Sequence, residues 1–294
     1  MTTTASMYTI AAAFAAAEKA FLGPDRKWNP VNDRQKRFVS EVLEPTRPEL
    51  AGIPEIVSIA ALSEVPINEF LEEEGFDIRL DPFPKVTPPD RAWGAASVLD
   101  VLMQWKKKGT KTTVTADGKP YVGARLEKET AHIFNAVGHT DVAMIETQSG
   151  DMAWMAMWDT PVEHFELLDV VQQLSSAQKL PSNYEGLVFP AVDLDHEVDI
   201  GWLKGLWTID NEQYLNKITQ ALQQTKLKMN HVGARIKDAA AIGGLRCMGF
   251  EMPLPPLIID KPFLFWVQRP GLSRPLFAAH ITQEHWKDPG SLDM

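Results

Sequence analysis

One cysteine, Cys247, among 294 residues excludes an internal disulfide framework. A lone thiol fits a reducing compartment. Residues 7–17 lack a basic leader and run into Glu18 and Lys19 too soon for a signal peptide, so a cytoplasmic setting is expected. No apolar run reaches the roughly 18 residues a spanning helix needs, and no membrane partner is expected. Surplus positive charge is also missing: 29 Lys and Arg stand against 39 Asp and Glu, a formal net charge of -10. Nucleic-acid binding depends on clustered cations that displace counterions, so it is excluded as the role. The one dense basic run, Lys106-Lys107-Lys108-Gly109-Thr110-Lys111, reads as a solvated strand end.

Catalytic signatures are equally scarce. The sequence has no G-x-S-x-G turn, no Gly-rich phosphate loop and no internal repeat. Its seven histidines, His132, His139, His164, His196, His231, His280 and His285, never place two ligands on one helix face with a glutamate between them. No metal site and no cofactor is therefore expected. His139 with Asp141 is the nearest approach to a catalytic pair, but two polar residues at a strand entrance read as turn chemistry, so no enzyme is expected.

What the chain does have is 45% hydrophobic residues, enough length to bury roughly 75% of its unfolded surface without a disulfide or metal. Residues 11–21 (alanine-rich, with Phe14 and Phe21), 33–43 and 66–73 read as helices. Pro82, Pro84, Pro88 and Pro89 make 80–90 a connector, because proline cannot donate to a ladder or helix. After it the hydrophobic period becomes two. Residues 98–105, apolar but for Asp100, predict a strand buried on both faces. Asp117-Gly118 predicts a tight hairpin joining 112–115 to 121–126, and a second hairpin joins 142–146 to 152–158 through Gln148-Ser149-Gly150-Asp151. The arm Met152-Ala153-Trp154-Met155-Ala156-Met157-Trp158 reads as core. Thr160, Pro161 and Glu163 spell a capping box, with Val162, Phe165, Leu168 and Val171 facing inward. A strand over 187–194, a short helix near 202–206, a helix over 210–223 and a strand over 226–230 follow.

Residues 233–256 are the most informative. They run Gly-Ala-Arg-Ile-Lys-Asp-Ala-Ala-Ala-Ile-Gly-Gly-Leu-Arg-Cys-Met-Gly-Phe-Glu-Met-Pro-Leu-Pro-Pro. A loop of about twenty residues without structure of its own is uncommon in a compact domain unless it has a function. Small residues and glycines make such a loop accessible to proteases.

The order of elements around this loop resembles the serpin family of protease inhibitors. The tail Ile259-Asp260-Lys261-Pro262-Phe263-Leu264-Phe265-Trp266-Val267, followed by Pro275-Leu276-Phe277-Ala278-Ala279, resembles the serpin signature strand and final strand. Residues 98–109 resemble its long central strand, 146–161 its small-sheet hairpin, and 188–207 the strand and helix ahead of the loop. The resemblance implies an α+β fold: a large mixed β-sheet, smaller sheets, helices packed around them, and an exposed reactive-centre-like loop. It implies one domain over 1–294, with a reduced helical part at 1–90 and a sheet-rich core at 91–294.

The resemblance further implies that the loop is bait, cut by a serine or cysteine protease and then inserted as a new middle strand of the main sheet. Inserted strands alternate faces. Counted from Gly233, the hinge residues Ala234, Ile236, Asp238, Ala240 and Ile242 would point inward, and Arg235 and Lys237 outward. An inward Asp238 and the bulk of Ile236 and Ile242 oppose insertion. The reactive bond falls at Cys247-Met248, with Arg246 just before it; Arg246 suits a trypsin-like pocket, and Cys247 is oxidisable. The gate histidine of the family is replaced by Gln223. Two readings stay open: an inhibitor whose partner is a target protease, and a non-inhibitory module whose loop is a tether or interface for another protein.

Overall fold

The computed structural model describes residues 2–24, 26–86, 92–235 and 254–292. They form two compact units, one of residues 2–5, 101–195, 226–235 and 254–292, the other of 6–24, 26–86, 92–100 and 196–225.

The first unit is built on a seven-stranded sheet, in the order Thr3–Ala5, Phe277–Ile281, Phe263–Gln268, Met152–Met157, Asp141–Glu146, Ala131–Ala136, Lys179–Pro181, with every neighbouring pair antiparallel. Phe263, Leu264, Phe265, Trp266 and Val267 are all buried, so the signature strand is covered on both faces. Its Trp266 lies opposite Trp154, the two rings stacked at 5.8 Å and 7°. The Met-Trp arm is therefore core, as the sequence predicts. The Trp266 indole donates to Ser175 Oγ (3.0 Å) on the helix His164–Ser176, which buries Phe165, Leu168 and Val171. At the hairpin turn, Arg269 makes paired 2.9 Å bonds to both oxygens of the buried Asp151, a fork-to-fork geometry that compensates two desolvated charges.

That helix starts later than the capping box predicts. Thr3 Oγ1 donates to the Val162 carbonyl (2.9 Å), Glu163 is extended (φ -130°, ψ 150°), and His164, with a left-handed φ of 47°, opens the helix. Residues 98–105 also divide, into Gly94–Leu99 and Met103–Gln104, because Asp100 stays exposed and a strand buried on both faces cannot carry a solvated carboxylate. The predicted strand over 187–194 breaks at Ala191 into Leu187–Pro190 and Val192–Val198. The hairpin Thr110–Ala116 with Lys119–Leu126 forms as read, Asp117 (φ 48°) and Gly118 (φ 74°) supplying the two positive-φ residues of its turn. It joins a four-stranded sheet with Leu187–Pro190 and Leu257–Ile258. A second four-stranded sheet has the order Val192–Val198, Gln223–Met229, Gly233–Arg235, Met103–Gln104.

In the second unit, the alanine-rich helix Met7–Ala17 continues through a wider turn, Glu18–Leu22, and stops at Gly23 (φ 94°). Asn32 caps the next helix, Asp33–Phe38, by accepting from Gln35 N at 2.8 Å. Phe14 meets Trp28 edge-on at 4.7 Å, and the Trp28 indole donates to the buried Glu18 carboxylate at 2.7 Å, where Arg47 also binds. Replacing Trp28 by Phe keeps a ring but withdraws one donor from a buried charge. Denaturant unfolding is expected to show a loss of about 1–3 kcal/mol, and an unchanged midpoint would refute this role for the indole.

Residues 1–90 are not wholly helical: Ile56–Ala61 is a strand paired with Gly94–Leu99, and the helix Glu64–Glu73 packs on this ribbon through Ile67 and Leu71. The predicted helix over 210–223 is replaced by the hairpin Trp207–Ile209 with Leu215–Lys217 and the start of Gln223–Met229. Asp210 is the cause. Its Oδ1 accepts from Glu212 N and Tyr214 N, both at 2.9 Å, and its Oδ2 from Asn216 Nδ2 at 3.0 Å, so a side chain competes for the amides a helix would need.

Candidate functional site

The start of the bait-like segment is Gly233–Arg235, a short strand antiparallel to both of its neighbours. Gly233 and Ala234 lie opposite Gln104 and Met103, while Ala234 and Arg235 lie opposite Met229 and Lys228. Ala234, Met103 and Met229 are fully buried, which sets the parity: Ala234 points inward. Gly233 is there because nothing larger fits. A Cβ on it would lie 2.2 Å from the Met103 carbonyl oxygen and 3.1 Å from Gln104 Cα, a close backbone approach that only glycine allows.

A tight turn over 230–233 delivers the strand. Asn230 N donates to the Gly233 carbonyl (2.9 Å), Val232 N to Asn230 Oδ1 (2.8 Å), and Asn230 Nδ2 to the Gly290 carbonyl (3.2 Å). Trp105, fully buried and edge-on to Phe189 at 6.2 Å, grips the same turn: its indole donates to the Asn230 carbonyl at 2.9 Å and its amide to Val232 at 3.3 Å. Gly109 N donates to the His231 carbonyl (2.8 Å). Burial holds the His231 imidazole below its ordinary pKa, and the positive charges of Lys108 and Lys111 add to this, opposed by Asp288. Asp288 is itself held low, first by the Gly290 amide and then by Lys111, whose ammonium is 3.3 Å away.

Sequence reasoning placed Gly233 and Ala234 in this segment but missed the grip of Trp105 and Asn230. An Asn followed two residues later by Val-Gly after a strand carries a turn signal; nothing local in the sequence ties it to a tryptophan 125 positions earlier. Ile236, Asp238, Ala240, Arg246, Cys247 and Met248 lie outside the described residues. Gln223, at the gate position, donates to the Ser6 carbonyl (3.2 Å) and to Thr9 Oγ1 (3.5 Å), tying the start of its strand to the head of the first helix.

The other sequence candidates are not gathered here. His139 sits in a turn, its amide bonded to Ala136, while Asp141 accepts from Ser182 Oγ at 2.9 Å. In the basic run, Lys106 pairs with Glu146 and Lys107 with Glu129 at 3.9 Å. Among the described residues no cluster of three or more His, Cys, Asp or Glu is placed to hold a metal, and no helix is long and apolar enough to cross a membrane.

No protein-family model and no curated protein matches the sequence. Solved structures do. Human kallistatin aligns over 96% of this chain and 91% of its own, with a TM-score of 0.57 at 10% identity. Serpin48 of the insect Tenebrio molitor aligns over 95% and 91%, with a TM-score of 0.54 at 13% identity. The chain has a serpin-like fold. SRPN18 of Anopheles gambiae aligns over 98% and 93%, with a TM-score of 0.54 at 11% identity. These identities speak for the fold alone. Within the serpin-like fold, the strand taken as long and central is interrupted at 100–102, and Gly233–Arg235 stands between its Met103–Gln104 remnant and Lys228–Met229.

Proposed function

We propose that this chain is a serpin-type inhibitor of a serine or cysteine protease, using residues 236–253 as bait. The observation that carries the reading is the seating of Gly233–Arg235 between two strands, antiparallel to each, with Ala234 buried. A strand inserted in the middle of a sheet would begin in this way. Beyond this pairing, residues 223–227 offer an edge that no described strand takes on that side. Continuing the register would set Ile236 opposite Leu227 and Asp238 opposite Thr225.

In this mechanism the protease nucleophile attacks a peptide carbonyl in the bait, the new amine departs, and an ester or thioester joins the two proteins. Lengthening of the Gly233–Arg235 strand then carries the bound protease away from the geometry it needs to complete hydrolysis. Arg246 is the residue offered to the protease pocket, with Cys247 and Met248 beside it. Incubation with a panel of proteases is expected to give an SDS-stable complex with a trypsin-like enzyme. Arg246→Ala should lower the rate of complex formation at least about tenfold, since it removes the charge such a pocket reads. Clean cleavage of the bait without any complex would overturn the proposal.

Two features favour a second reading, a binding module that does not inhibit. Gln223 ties its strand to Ser6 and Thr9, and an inward Asp238 would bring an unpaired carboxylate against the half of the strand that holds Thr225. Melting of the chain before and after a cut within residues 236–253 separates the two readings.

A further inference from the structure

Hydrophobic strands normally reach the core or hide their edge. Ile56–Ala61, Ile-Val-Ser-Ile-Ala-Ala, does so only in part: Ile59 and Ala61 pack against Ile67, Leu71 and Val98, yet none of its six residues is buried, although helices Met7–Ala17 and Glu64–Glu73 both pack against the ribbon it forms. Among the described residues it pairs with Gly94–Leu99 on one side and with no strand on the other. Val57 is 51% exposed, and Leu62 (56%) and Val65 (53%), just beyond the strand, are exposed as well. Edge strands are ordinarily protected by a charge, a proline or a bulge. Residues 56–62 contain no charge, no proline and no glycine.

An open edge of alternating N–H and C=O groups is complementary to another extended strand, which narrows the occupant to a β-strand. The sequence itself supplies one. In an antiparallel pairing of identical strands, residues with outward-facing backbone groups must meet their own parity, so the two-fold axis passes through a residue. Centred on Ile59, the seven uncharged residues 56–62 lie opposite themselves: Val57 meets Ala61, Ile56 meets Leu62, and Glu55 meets Ser63. No carboxylate faces another, and the exposed Val57 finds an apolar partner. We infer that the free edge of Ile56–Ala61 is a self-association surface, at which two copies of this chain pair these strands antiparallel about Ile59.

Because each copy carries a formal charge of -10, added salt should strengthen the association by screening repulsion. The test is sedimentation velocity of the full chain over a concentration series at low and moderate salt. A reversible dimer is expected, favoured by salt, with slower amide exchange over 56–61 as concentration rises. Val57→Lys, or Ser58→Lys at the neighbouring exposed position, should weaken it at least about tenfold. Leu215→Lys, on an exposed residue of a separate hairpin, should leave it unchanged. A chain that stays monomeric at every concentration, or a dimer indifferent to both edge lysines, overturns the inference.

Discussion

Cutting the chain within residues 236–253 is expected to raise its melting temperature by about 10 °C or more. For a protein of this size, each kcal/mol of stability moves the midpoint by about 2–4 °C. The gain has a specific source. Gly233–Arg235 is already paired on both sides, so a freed segment continues an existing strand instead of nucleating a new one. Each added residue brings ladder hydrogen bonds on the side of residues 223–227, and alternate residues exchange water for the interior. Asp238 works against this, since the parity set by Ala234 sends it inward. Asp238→Ala should therefore enlarge the rise in the cleaved form and leave the intact form nearly unchanged. Differential scanning calorimetry before and after limited proteolysis reads both quantities. A cleaved chain that melts where the intact one does would refute insertion and leave the binding-module reading standing.

Gly233→Val should impair the same transition from the opposite direction. The first new carbon would overlap the Met103 carbonyl oxygen, and both are backbone-anchored, so neither can swing away. The strand must shift or leave its place between Met103–Gln104 and Lys228–Met229. Relief of that overlap costs about 1–3 kcal/mol in the intact protein. The larger effect is on inhibition: with the first seated residues displaced, insertion loses its starting point, and the SDS-stable complex is expected to fall at least about tenfold in favour of cleaved chain. Gly233→Ala places the same first carbon and should show most of the loss, whereas Lys228→Arg, beside the strand but on the outward parity, should show little. A Gly233→Val protein that forms complex at the normal rate would exclude this strand as the starting point.

Much of the architecture is legible one segment at a time, where the deciding forces act between near neighbours. Asp117-Gly118 and Gly150 specify their turns because few other residues accept positive φ, and the apolar run Phe263 to Val267 specifies a strand with both faces covered. The same reasoning from period and capping fails where a side chain, near or distant in sequence, competes for the backbone. Thr3 takes the Val162 carbonyl and delays the helix predicted from Thr160, and the network around Asp210 turns a predicted helix into a hairpin. The resemblance to serpins rested on the order of these segments, and the solved structures bear it out at the level of fold.

By itself, then, the sequence determined the turns at Asp117-Gly118 and Gly150, the two-sided burial of the strand Phe263 to Val267 and the composition of the bait-like segment. Tertiary structure alone decided that Gly233 must be glycine, that Trp105 holds the Asn230 turn, and that Ile56–Ala61 has no second partner strand among the described residues. The physical reason is common to all three. Each depends on which backbone lies within a few ångströms across a gap of many residues, and sequence periodicity describes only the faces of an element, never what is brought against them.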